Sequence, residues 1–89
     1  MKEKRIHLVG RIDQIVRDYF EKNKSVKEIM AKDLMPLLIK KGIFKKDHRK
    51  GLPIRKILRE LDTDNKSYLI KNLRVEQKSI NRNWYFIKN

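Results

Sequence analysis

The sequence predicts an α+β domain of three helices followed by a C-terminal β-hairpin. Two observations carry this. Apolar residues recur at the helical period in three stretches up to Leu61, and beyond Asn65 that period gives way to short β-prone runs ending in Trp84, Tyr85, Phe86 and Ile87. Glycine (3) and proline (2) are so scarce that Gly10, Pro36, Gly42, Gly51 and Pro53 are read as boundary marks. At 89 residues the chain has room for one domain with a modest core. That domain is read over residues 1–89, with residues 1–6 as a flexible basic tail.

The first helix is expected from about His7 to Lys22, where Leu8, Ile12, Ile15, Val16 and Tyr19 share a stripe and Arg11, Asp18 and Lys22 lie elsewhere. Val26–Ile29 reads two ways: as a short strand, or as the opening of a longer helix with Ser25 and Glu28 as a capping box. A helix covers Ala31 to Lys41 in either case, and Lys40, Lys41 and Gly42 form a helix ending. Pro36 favours a start near Lys32 or Asp33, because proline is tolerated in a first turn. The short strand is therefore preferred. Ile43–Lys50 is a polar connector anchored by Ile43 and Phe44.

Pro53 then opens a third helix, in which Ile54, Ile57, Leu58 and Leu61 fall at i, i+3, i+4 and i+7. Asp62, Thr63, Asp64 and Asn65 end it. The strand entering the hairpin is either Ser67–Ile70 or Leu73–Gln77, and Asn81, Arg82 and Asn83 are expected to turn it.

Charge narrows the partner. Lys and Arg number 24 against 11 Asp and Glu, a net +13. Like charge in one small fold repels itself, and a polyanion relieves the repulsion. There is no cysteine, which removes disulfides and thiolate metal sites. The apolar stretch Ile6–Val9 contains His7 and stops at Gly10, too short for a signal-peptide core. Leu34–Ile39, the longest apolar run, contains Pro36 and is far below the roughly 20 residues that span a bilayer. The expectation is a cytoplasmic protein with a nucleic-acid partner and no membrane.

The order helix, short strand, helix, loop, helix, strand, basic loop, strand resembles the winged helix-turn-helix fold over His7–Ile87. Two local features carry the resemblance: the amphipathic helix after Arg49, Lys50 and Gly51, and the hairpin closing on Trp84–Ile87. The connector Ile43–Lys50 departs from it, being longer than the 3–4-residue turn of a compact helix-turn-helix. The resemblance implies a non-enzymatic DNA-binding module with a role in transcriptional regulation. Its third helix would enter the major groove and its wing would meet the backbone or minor groove.

The basic residues fit that implication. From Ile43 to Glu60 there are seven (Lys45, Lys46, Arg49, Lys50, Arg55, Lys56, Arg59) against Asp47 and Glu60, an excess of +5 in 18 residues. On a wheel counted from Ile54, Arg55, Arg59 and Lys56 fall at about 100°, 140° and 200°, away from the apolar stripe. Arg49 and Lys50 precede the helix N-terminus, where backbone amides favour a phosphate. The wing carries Lys71, Arg74, Lys78 and Arg82, and an arginine at its tip, Arg82, suits a narrow minor groove. The DNA-contacting set is thus Lys45, Lys46, Arg49, Lys50, Arg55, Lys56, Arg59, Lys78 and Arg82.

Competing readings stand beside this one. The basic helix face also reads simply as solvated surface. The same charge suits an RNA- or ribosome-binding module, and winged helices also serve as protein-interaction domains or homodimers. Trp84, Tyr85 and Phe86 are of a type that stacks single-stranded bases, but their alternation along a strand favours core packing. His7 and His48 have no third ligand to make a metal site. Asp13, Asp18, Asp33 and Asp47 read as surface ion pairs worth about 0–1 kcal/mol each. No nucleophile, base and acid are grouped, and no glycine-rich phosphate loop is present, so neither catalysis nor a cofactor is expected.

Overall fold

Apolar stripes from three helices meet one face of a three-stranded sheet. The computed structural model describes residues 3–47, 51–77 and 82–88. Helix α1 (Glu3–Lys22) buries Val9, Ile12, Val16 and Phe20, spaced to fall on one side. It starts earlier than the sequence pattern suggests: residues 3–6, expected as a tail, form its first turn. Nothing in Glu3–Val9 breaks a helix, so the turn propagates outward from the buried stripe.

Strand β1 (Glu28–Met30) follows, then a 3₁₀ turn (Ala31–Leu34) that runs into helix α2 (Met35–Lys40). The short strand, and not a capping-box helix from Ser25, is what forms here. Pro36 stands in the first turn of α2, where it displaces no helical hydrogen bond. Gly42, in the left-handed conformation with φ 80°, closes α2, and the Ile43 amide donates back to the Leu38 carbonyl at 2.9 Å.

Helix α3 (Leu52–Thr63) buries Ile54, Ile57, Leu58 and Leu61. Its entrance depends on Gly51. That residue has φ 78°. Its amide donates to both carboxylate oxygens of Asp47, at 3.1 and 3.0 Å. A Cβ on Gly51 would lie 2.3 Å from the Lys32 Cβ. Gly51→Ala should therefore lose about 1–2 kcal/mol to left-handed backbone strain and more to the collision. In a urea titration the midpoint should fall at unchanged m-value.

A second 3₁₀ turn (Ser67–Leu69) leads to strands β2 (Leu73–Gln77) and β3 (Arg82–Ile87). The incoming hairpin strand is thus the later of the two candidates. Both β1 and β2 pair antiparallel with the central β3, giving the order β1-β3-β2. Trp84 and Phe86 are buried, with Ile29 and Leu73 directly across from Phe86. The expected turn at Asn81–Asn83 is corrected: Arg82 and Asn83 are strand residues paired with Gln77 and Glu76. On the other face Arg74 forms an ion pair with Glu28 and lies 4.6 Å over the Tyr85 ring.

Asp13 is not the surface residue expected. It is 7% exposed, accepts the Lys71 amide at 3.2 Å and pairs with Arg17 at 3.0 Å. It thereby fastens α1 to the segment entering β2.

Candidate nucleic-acid interface

The site is built on α3. With its apolar stripe turned to the core, Leu52, Lys56, Arg59 and Thr63 (i, i+4, i+7 and i+11) form the opposite stripe. Lys56, Arg59 and Thr63 are exposed, and Leu52 is half-buried.

Each flank of that stripe is tied to a neighbour. On one side Glu60 meets Arg5 of α1 at 3.6 Å. On the other, Asp62 holds Arg82 of β3 in an ion pair. Arg55 lies on this second flank, half-buried, with its Nε donating to the Gly51 carbonyl at 3.3 Å. Together with Lys32, Asn83 and Trp84, Arg55 and Arg82 line a cleft of about 160 Å³ between the first 3₁₀ turn, α3 and β3.

The predicted residues divide accordingly. Lys56 and Arg59 occupy the outward stripe, and Lys45 and Lys46 are exposed in the segment before α3. Arg55 is displaced from the outward face to the flank. Arg82 is corrected more strongly. It is no hairpin-tip residue, because strand alternation puts residues 82, 84 and 86 on one side, and Trp84 and Phe86 are buried against the helices. Arg82 consequently reaches α3. Arg74 is committed to Glu28 and Tyr85, and Lys71 precedes β2. Arg49, Lys50, His48 and Lys78 lie outside the described residues.

Lys32 is the residue that sequence reasoning missed. It belongs to the 3₁₀ turn, ahead of the periodic part of α2, so no helical pattern marks it. A signal did exist in Gly51: a glycine obliged to admit a close neighbour implies a neighbour, and that neighbour is Lys32.

Nearby carboxylates are largely engaged, Asp47 with the Gly51 amide, Glu60 with Arg5 and Asp62 with Arg82. Set against them, on α3, the segment before it, the first 3₁₀ turn and β3, are Lys32, Lys45, Lys46, Arg55, Lys56, Arg59 and Arg82. The chemistry on offer is charge and N–H donation, which suits anions. Among the described residues no three His, Asp or Glu side chains converge to hold a metal ion, and no helix is long and apolar enough to cross a membrane. Comparison with protein-family models, curated proteins and solved structures finds no match.

Proposed function

We propose that this chain is a winged helix-turn-helix module that binds duplex DNA without catalysing a reaction, α3 lying in the major groove and the β2–β3 hairpin acting as the wing. Support for the fold comes from the order helix, strand, helix, helix, strand, strand with a β1-β3-β2 sheet. The observation that carries the function is the division of α3 into a buried apolar side and an exposed stripe bearing Lys56 and Arg59. A helix about 10–12 Å across fills a major groove about 12 Å wide, so an outward basic stripe would meet base edges and phosphates together. A regulatory role in transcription, in the cytoplasm, is the setting this reading implies.

The test is a binding comparison of duplex DNA, duplex RNA and single strands, using the parent chain and the double variant Lys56→Ala, Arg59→Ala. Duplex DNA should bind tightest. The variant should melt close to the parent, since exposed substitutions usually cost within about 0.5 kcal/mol each. It should lose about 1–3 kcal/mol of duplex affinity if Arg59 makes a bidentate base contact. Unchanged duplex binding would remove α3 as the reading element, and stronger binding to duplex RNA would move the module to the RNA-binding class.

A further inference from the structure

We propose that the cleft lined by Lys32, Arg55 and Arg82 seats one backbone phosphate of the bound duplex, with Asp62 acting as the internal anion that the phosphate displaces from Arg82. This rests on the nucleic-acid reading and adds a specific contact to it.

Three observations carry the proposal. First, the fold brings cations from three separate elements to one concavity. Lys32 is fixed by the close approach of its backbone to Gly51, Arg55 by the Gly51 carbonyl, and Arg82 by strand alternation and Asp62. An anion arriving there would meet N–H donors from all three elements. Second, the size fits. About 160 Å³ is room for the two non-bridging oxygens of a phosphodiester with some hydration. Asn83 also borders the cleft.

Third, the position fits. The cleft borders the outward stripe of α3 on its β3 side. A helix that fills the major groove has a phosphate strand along each flank, so the flank residues meet phosphates while the stripe meets bases. The other flank holds Glu60 paired with Arg5, so the cationic concavity described here belongs to the side facing β3.

Asp62 makes the seat adjustable. Its carboxylate holds Arg82 from a position seven residues beyond Arg55, on the same side of α3. A phosphate bridging Arg55 and Arg82 would compete with that carboxylate for the same guanidinium. Asp62→Asn should therefore strengthen duplex binding, although Asp62 itself does not line the cleft.

The experiment measures labelled duplex DNA binding as a function of salt for the full chain and for Lys32→Gln, Arg82→Gln and Asp62→Asn, with a thermal melt on each. Trp84 is the single tryptophan and lines the cleft, so its emission reports the seat directly. Lys32→Gln and Arg82→Gln should each make the log K against log salt slope shallower by about 0.9, equivalent to about eightfold weaker binding at 0.1 M salt. That loss should be uniform across duplex sequences. Asp62→Asn should bind severalfold tighter than the parent. Duplex should change Trp84 emission in the parent and less so in Lys32→Gln.

A parent with a steep salt slope that both glutamine variants retain would overturn the phosphate seat and leave duplex binding standing. A parent that binds no nucleic acid would overturn both. Inorganic phosphate alone producing the full Trp84 change, with duplex producing none, would assign the cleft to a free anion and likewise overturn the proposal.

Discussion

Raising salt from about 50 to about 200 mM is expected to weaken duplex DNA binding by about 500- to 4,000-fold. The figure follows from the charges placed around α3. Seven described cations lie on α3, the segment before it, the first 3₁₀ turn and β3: Lys32, Lys45, Lys46, Arg55, Lys56, Arg59 and Arg82. If about 5–7 phosphates are neutralised, the slope of log K against log salt is about −4.5 to −6. Over a fourfold change in salt, slopes of that size give the stated range. The whole-chain charge of +13 supplies a second, longer-range contribution, visible as a salt-dependent association rate. Fluorescence anisotropy at four or five salt concentrations checks the slope, and stopped-flow mixing checks the rate. A nearly flat dependence would mean that the basic surface is not the binding surface. It would point instead to the protein-interaction reading, in which affinity comes from apolar burial.

The helices were legible because each has a periodic buried stripe. Ile54, Ile57, Leu58 and Leu61 announce α3 to within two residues at either end. The first turn of α1 was not legible, because Lys4, Arg5 and Ile6 are exposed and leave no periodic trace. Strand β1 was ambiguous, and Pro36 only tipped the reading toward it. At the hairpin, the aromatic run Trp84–Phe86 stood out, but the strand extends two residues further back through Asn83 and Arg82, whose polarity reads as a turn. Read as a turn, that polarity puts Arg82 at the hairpin tip, whereas the strand carries it to the helix-facing side. Position on the wheel likewise placed Arg55 in solvent, and only the approach of β3 and the 3₁₀ turn shows it as a cleft residue. Charge at a site is therefore readable from sequence, but the company each charge keeps depends on neighbours distant along the chain. Asp13 illustrates the same point: its partner, the Lys71 amide, is 58 positions away.

Phe86→Ala should be among the most destabilising single changes in the molecule. Phe86 is 0% exposed, sits on the central strand and faces Ile29 and Leu73 across the two pairings. Both outer strands pair with β3, so its side chain packs where the sheet and the helices share one core. Truncation removes most of a ring's burial and leaves a cavity that a sheet pinned on both sides cannot easily close, a loss of about 3–5 kcal/mol. For a domain in the 60–100-residue range, 1 kcal/mol moves Tm by about 4–8 °C, so the midpoint should fall by about 12–40 °C. Total stability of such domains is about 5–15 kcal/mol, so the variant should be partly unfolded at physiological temperature if the parent lies at the lower end. Val75→Ala is the control. Val75 pairs with Trp84 in the same sheet but is 43% exposed, so it should cost within about 1 kcal/mol. Thermal melts of the two variants followed by circular dichroism decide the matter. Equal, small losses in both would mean that the β3 face is not the floor of the core, and the packing of α3 against it, on which the Lys32–Arg55–Arg82 cleft and the outward basic stripe both depend, would have to be redrawn.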